Sequence, residues 1–188
     1  MNKRQILQRL IDGNSRFVTD ILDGKLQNSS RRNALVGGQK PYAIVLSCAD
    51  SRVVPELAFD TGLGELFVVR VAGNVANISS VASIEYAVLH CGSKVIVVLG
   101  HQNCGAVTAA AKGGDNGHNL NHLLAHITPA IQSKGKGAEI NEIVKSNAIL
   151  TGKRLVEKSE IIRDLVKKGE VDIFPAYYHL EGGKVEFL

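Results

Sequence analysis

The chain has no tryptophan and only three cysteines among its 188 residues. Three is an odd number, which does not suit a disulfide framework and favours a reducing compartment in which thiols are free to bind metal. No apolar run approaches the length of a bilayer span, and residues 1–9 lack the apolar core of a secretory signal. No run of lysine and arginine exceeds two residues, so the formal charge of +4 carries no nucleic-acid signature. We therefore expect a cytoplasmic protein without nucleic-acid or membrane partners.

What is present indicates one globular domain over residues 1–188, with 45% hydrophobic and 21% charged residues. Apolar, β-branched runs between helical stretches predict buried parallel strands, and a Gly182-Gly183 turn predicts a terminal hairpin. The predicted strands are 42–46, 66–71, 94–99, 171–178 and 184–187; the predicted helices are 78–90, 105–112, 121–132 and 140–168, the last in two pieces. This order predicts an α/β fold, with a mostly parallel central sheet flanked by helices and a C-terminal antiparallel hairpin strand.

The N-terminal part is predicted to be a helical arm. Residues 4–22 carry apolar side chains at helical spacing, with a break or bend at Gly13-Asn14. The polar stretch 27–41 contains Gly37-Gly38 and predicts a loop. The predicted helix 78–90 has no polar face, which favours burial, for instance by a partner subunit.

Two short motifs carry the chemistry: Cys48-Ala49-Asp50-Ser51-Arg52 and His101-Gln102-Asn103-Cys104. Each follows a predicted strand, and neighbouring parallel strands bring their carboxyl ends to one edge of the sheet. Cys48, His101 and Cys104 would supply two thiolates and one imidazole, a set that suits zinc and leaves a position for water. Taken singly, each has a plainer interpretation as a buried cysteine or a core histidine.

Asp50 and Arg52 follow the first cysteine at two and four residues. Two thiolates cancel the charge of Zn²⁺, so nearby groups must help to hold a hydroxide. An ionised Asp50 would accept its hydrogen bond, and a bidentate Arg52 would keep Asp50 ionised. Two alternatives are a plain salt bridge at the strand end, and an Asp50 that ligates the zinc itself and closes the site.

The two motifs together resemble those of the β-class carbonic anhydrases. The resemblance extends over nearly the whole chain, through residues 13–17, 67–74, 83–88, 98–101, 104–107 and 177–178. It implies a zinc lyase that interconverts CO₂ and bicarbonate, with one Zn²⁺ per chain on Cys48, His101 and Cys104 and a catalytic pair of Asp50 and Arg52. It also implies a dimer or tetramer in which the N-terminal arm, residues 1–26, packs on a neighbouring subunit.

The resemblance also bears on the subtype. The plant-like, open-site branch has a glutamine nine residues before the first zinc cysteine, and here that residue is Gln39, whose amide could bind bicarbonate across a dimer interface. The allosteric bacterial branch has a tryptophan three residues before that cysteine, where this chain has Val45. The resemblance therefore favours the open form, with water on the zinc.

Further substrate contacts are expected around the same motifs. Gly105, which has no side chain, is the expected backbone donor to the substrate. Val71 and Ala72 follow the second predicted strand and are candidates for an apolar CO₂ pocket, although core packing explains them equally well.

Alternative functions use the same residues. Hydrolysis of CS₂ or COS would need the same zinc hydroxide, and a non-catalytic zinc or thiol-redox protein would need the cysteines but not the Asp/Arg pair. His118, His122 and His126 share one helical face and could bind a metal or carry protons, although a partly exposed or interfacial face explains them as well.

Overall fold

Five strands form one sheet in the computed structural model, which describes residues 1–135 and 137–188. The strand order is β2-β1-β3-β4-β5. Strands β1 to β4 are mutually parallel, and β5 is antiparallel to β4. The strands are β1 (Ala43–Ser47), β2 (Leu66–Arg70), β3 (Val95–His101), β4 (Asp172–Tyr178) and β5 (Val185–Phe187). The predicted α/β class, the mostly parallel sheet and the terminal antiparallel strand are confirmed.

Helices surround this sheet. They are α1 (Lys3–Val18), α2 (Ser29–Ala34), α3 (Pro55–Ala58), α4 (Ile78–His90), α5 (Gly105–Lys112), α6 (His118–Ala125), α7 (Thr128–Lys134), α8 (Ile140–Lys158) and α9 (Glu160–Lys167), with a short 3₁₀ turn at Ala72–Asn74. Helices α1 and α3 pack on one face of the sheet, and α4, α8 and α9 pack on the other. No helix of the described residues combines the length and the apolar character that crossing a bilayer requires.

Strands β1 and β3 lie at the centre of the sheet, and every residue in both is buried. Burial on both faces explains why their sequences are continuous apolar runs without alternation. Their register pairs Ser47 with Leu99. Cys48 therefore leaves β1 almost level with His101 at the end of β3.

Helix α1 continues through Gly13 and Asn14 to Val18, so the predicted bend at Gly13-Asn14 and the predicted end at residue 22 were wrong. A Cβ on Gly13 would overlap the carbonyl oxygen of Phe59 in the α3 segment. Asn14 is buried and forms hydrogen bonds with distant parts of the chain. Both residues disfavour a helix, but the close approach of Phe59 at Gly13 and the hydrogen bonds of Asn14 with other segments offset this cost.

Helix α1 packs on its own chain through Ile6 and Leu10, which are buried in the core beneath the sheet. Ion pairs Lys3–Asp172 and Arg9–Glu65 add to this contact. The further expectation, that residues 1–26 embrace a neighbouring subunit, stays a prediction.

Two other expectations about the helices were wrong. The predicted loop 27–41 contains the exposed helix α2, whose N-cap Asn28 accepts the Arg31 N–H at 2.9 Å. Helix α2 has no apolar face, so the hydrophobic pattern gave no sign of it. The predicted helix 121–132 is two helices, α6 and α7, with Pro129 in the first turn of α7.

The predictions for 78–90 and for a split helix over 140–168 were confirmed. Ser159 separates α8 from α9, and its hydroxyl caps α9 by accepting the Ile162 N–H at 3.0 Å. On α4, Ile78, Tyr86 and Leu89 are at least half exposed within this chain.

Candidate metal centre

The structure brings together the three residues that the sequence suggested as metal ligands. The Sγ atoms of Cys48 and Cys104 are 4.0 Å apart. These two atoms and a ring nitrogen of His101 all lie within 4.8 Å of one another, and all three residues are buried. Among the described residues this is the one group of thiol, imidazole and carboxylate side chains arranged to hold a metal.

The His101 ring is oriented for a ligand at this group. Its Nδ1 lies 2.9 Å from the Gln102 carbonyl oxygen, which can only accept, so Nδ1 carries the hydrogen. The other nitrogen, Nε2, is buried and has no hydrogen-bond partner among the described residues. A buried polar atom without a partner is costly, and a metal ion would satisfy this one. The donor set and its geometry therefore fit a soft divalent cation.

The two thiols share one proton. The hydrogen bond between the two sulfurs lowers the pKa of Cys48 to about 4 against the opposing effect of burial, and the bond from the Gly73 N–H acts in the same direction. The bond to Cys48 and burial raise the pKa of Cys104. Cys48 is therefore the more acidic of the two thiols. A bound cation would displace this shared proton, so the affinity for metal should depend on pH.

Asp50 lies at the edge of this group, with Oδ2 3.8 Å from His101 Nε2. Arg52 donates to both of its oxygens, from Nε to Oδ1 at 2.9 Å and from Nη2 to Oδ2 at 2.7 Å, and the Arg52 backbone N–H also donates to Oδ1 at 3.0 Å. These bonds hold the pKa of Asp50 well below its usual value although burial opposes them. Asp50 is therefore a fixed, ionised acceptor beside the three candidate ligands.

Arg70 holds the loop that carries Cys48, a role that the two motifs did not indicate. Its Nε donates to the Cys48 carbonyl at 3.1 Å and its Nη2 to the Asp50 carbonyl at 2.7 Å. The Gly73 N–H, in the following turn, donates to Cys48 Sγ at 3.3 Å. A signal for Arg70 was available, because it ends β2, the parallel neighbour of β1, and so lies at the same edge of the sheet.

The second motif forms a tight turn between β3 and α5. Asn103 has a left-handed φ of 53°, and its N–H donates to Asn141 Oδ1 at 2.8 Å. Cys104 is the N-cap of α5, and the Ala106 and Val107 N–H groups at the start of that helix act to lower its pKa. This turn places His101 and Cys104 on one short segment.

The proposed substrate contacts occupy different surroundings. Gly105 is exposed at the start of α5, where an added Cβ would meet nothing within 4 Å. Val71 and Ala72 are half-buried, and Val71 packs on the cluster that contains Cys48. Gln39 lies in the exposed segment between α2 and β1. The roles of these four residues in substrate binding stay predictions.

The predicted histidine face is only partly assembled. The rings of His122 and His126 meet edge to face at 5.7 Å. Burial, and the positive charges of Lys158 and Arg154, lower the pKa of His126. These histidines do not form a metal-binding group within the described part of the chain.

Comparisons with known proteins agree with this geometry. The sequence model of the family described as carbonic anhydrase matches residues 43–185. The chain belongs to the β-carbonic anhydrase family. It is 38% identical over 183 residues to the carbonic anhydrase of Mycolicibacterium smegmatis, covering 94% of this chain and 89% of that protein. It is 35% identical over 181 residues to carbonic anhydrase 2 of Mycobacterium tuberculosis, covering 93% and 87%. Among solved structures, a tetrameric β-carbonic anhydrase from Sordaria macrospora is similar with a TM-score of 0.78 and 25% identity, covering 86% of this chain and 87% of that one.

Proposed function

We propose that the protein catalyses the zinc-dependent, reversible hydration of CO₂ to bicarbonate and a proton. The observation that carries the proposal is the buried group of Cys48, His101 and Cys104, with an unpartnered His101 Nε2, beside an Asp50 that Arg52 holds ionised. A structural or storage site for zinc has no use for that last pair. Family membership supports the same reaction.

Two thiolates and one imidazole favour Zn²⁺, one per chain, because hard cations such as Mg²⁺ and Ca²⁺ select oxygen donors. When bound, Zn²⁺ supplies the positive charge that lowers the pKa of a water molecule toward neutrality. Three protein ligands leave a position for that water.

Asp50 orients the water. An ionised carboxylate can only accept hydrogen bonds, so it fixes one O–H and leaves an oxygen lone pair directed away from itself, toward the substrate. Arg52 keeps Asp50 ionised and in place. We propose the open form of the site, in which Asp50 is not a ligand. Its two oxygens already accept from Arg52, and Val45 stands where the allosteric branch has tryptophan. A closed state with Asp50 on the metal would first require these bonds to break.

Substrate binding is assigned to the surface around the ligands. Val71 and Ala72 would contact apolar CO₂, and the Gly105 N–H would donate to a substrate oxygen. Gln39 is exposed within its own chain, so we propose that it serves the site of a partner subunit.

Self-association as a dimer or tetramer is part of the proposal. Large apolar side chains are exposed along the N-terminal segment and α4, including Ile21 (70%), Val36 (85%) and Ile78 (87%). A partner would cover such residues.

The proposed location is the cytoplasm, because its reducing conditions would keep the three cysteines as free thiols.

Arg52→Ala tests the assigned roles. We expect CO₂ hydration, followed by stopped flow, to fall by about 100-fold or more, the range for losing a group that positions proton chemistry. Zinc content should remain near one per chain, because Arg52 touches no ligand atom. Arg163→Ala is the matched control, since it removes an arginine whose partner, Glu160, lies on the surface of α9.

The zinc assay decides between an orienting and a structural role. If zinc is lost from Arg52→Ala in step with activity, Arg52 is structural and the assignment is wrong. CS₂ hydrolysis measured alongside would reveal the alternative substrate class.

A further inference from the structure

Helix α8 contacts the segments that build the metal centre, although it carries none of the ligands. Near its start, Asn141 accepts the Asn103 N–H in the turn of the second motif. One and two turns later, Val144 and Ala148 pack on Gly100, the residue directly before a ligand. A Cβ on Gly100 would come within 2.9 Å of Val144 Cγ1 and 3.5 Å of the Ala148 Cβ. The position of α8 is therefore fixed against β3 at this level of the sheet.

Asn147 extends this contact to the first motif. It lies on α8 between Val144 and Ala148 and is 1% exposed. Its Nδ2 donates to the carbonyl of Gly73 at 2.9 Å. The N–H of the same Gly73 donates to Cys48 Sγ at 3.3 Å. Gly73 thus connects the side-chain amide of Asn147 on α8 to the sulfur of Cys48.

Gly73 adopts a conformation that its surroundings must maintain. Its φ of 71° lies in the left-handed region, and Asn74 follows with a φ of 45°. Successive residues in this region persist only where neighbouring contacts hold them. Ile127 closes one side, since its Cδ1 would lie 2.9 Å from a Cβ on Gly73. The hydrogen bond from Asn147 holds the carbonyl on the other.

An N–H donor withdraws electron density from a thiolate, and partners of this kind commonly change metal affinity by about 10–100-fold. We propose that Asn147 is a positioning residue of the metal centre, which holds Gly73 so that its N–H donates to the Cys48 sulfur. The inference requires Cys48 to be a metal ligand, as in the proposed function, but it does not depend on which substrate the enzyme hydrates.

The test uses the metal-loaded protein and two variants. Asn147→Leu removes the amide with little change in size, and Asn147→Asp keeps the shape but presents an acceptor to the Gly73 carbonyl. With Co²⁺ in the site, we expect the thiolate-to-cobalt charge-transfer bands of both variants to move to lower energy. With Zn²⁺, we expect release to a chelator to be about 10-fold faster or more.

Ser146→Ala is the matched control. Ser146 is the preceding residue on α8, is also buried, and forms its hydrogen bond with Ser133 Oγ at 2.7 Å, away from the metal centre. Its cobalt spectrum and zinc release should equal those of the wild type. Folded Asn147 variants that also match the wild type in both measurements would overturn the proposal.

A measurement on the unaltered protein covers the case in which the variants do not fold. With ¹¹³Cd in the site, a scalar coupling between the metal and the Gly73 amide proton is expected, and its absence would overturn the proposal. A wild type that takes up no metal would instead refute the metal centre itself. A metal-loaded protein with the coupling but without CO₂ hydration would refute only the proposed reaction.

Discussion

Asn14→Leu should destabilise the protein far more than the replacement of an exposed polar residue of the same helix by leucine. Asn14 Nδ2 donates to the carbonyls of Ala58 and Gly183, both at 2.9 Å, and Oδ1 accepts the Val185 N–H at 2.8 Å. Leucine has the same branched shape and number of side-chain heavy atoms but can make none of these bonds. The substitution therefore leaves three backbone groups from two other segments unpaired at a buried position.

The expected loss follows from these three groups. Each buried, unpaired group costs about 2 kcal/mol, or about 6 kcal/mol in all. Burial of the leucine side chain returns about 2 kcal/mol. The net loss in the free energy of unfolding is about 4 kcal/mol, against a total of roughly 5–15 kcal/mol for a domain.

Urea unfolding at one protein concentration measures this loss. With a slope of about 3 kcal/mol per molar urea, the midpoint should fall by roughly 1.3 M. Gln8→Leu is the control, because Gln8 is an exposed residue of α1 whose amide reaches only Asp12. Its midpoint should stay near that of the wild type. Equal midpoints for Asn14→Leu and Gln8→Leu would refute the role of the buried amide.

Three further substitutions have defined outcomes. Gly13→Ala should lower the thermal midpoint although alanine favours helix by about 1 kcal/mol, because the new Cβ overlaps the Phe59 carbonyl oxygen; an unchanged or raised midpoint would contradict that packing. Burial would raise the pKa of Asp60, but its bonds with Arg16 and two backbone N–H groups outweigh burial and lower it. Asp60 therefore stabilises the fold above about pH 4, and the stability difference between wild type and Asp60→Asn should shrink as the pH falls below that value; a difference independent of pH would count against it. Gly73→Ala places a Cβ at a φ of 71° beside a buried isoleucine and should speed zinc release, which a chelator assay would show or disprove.

The central strands and the meeting of the three candidate ligands could be predicted because their causes are local or topological. Buried parallel strands need continuous apolar runs, and β1 and β3 have them. Once two such strands are neighbours, Cys48 and His101 reach one edge of the sheet whatever the length of chain between them. Helix α4, Ile78–His90, was predicted because its apolar content is high; the structure shows that Asn77 caps its start.

The error at Gly13-Asn14 arose because partners distant in sequence decide the conformation there. Asparagine and glycine disfavour helix locally, so Gly13-Asn14 indicated a bend. The bonds of Asn14 reach residues 44 to 171 positions away, and no local pattern contains them. Helix α2 was missed for a different reason: it is polar and exposed, and its stability comes from a cap and not from an apolar face.

The supporting residues of the metal centre form a third class. Gly73 and Asn147 are 74 positions apart and meet only because α8 packs over the carboxyl end of the sheet. The motifs predicted that the three candidate ligands and the pair Asp50 and Arg52 would meet. They did not predict what holds the Cys48 sulfur, because that depends on the packing of a helix whose own sequence carries no motif.

Whether the protein is a zinc-dependent carbonic anhydrase is decided by stopped-flow measurement of CO₂ hydration at pH 8–9, on protein shown to contain one zinc per chain. We expect rapid hydration that disappears when the zinc is removed by a chelator and returns when zinc is restored. A protein with one zinc per chain and no hydration above the uncatalysed rate would contradict this expectation, and would point to a non-catalytic zinc or thiol protein.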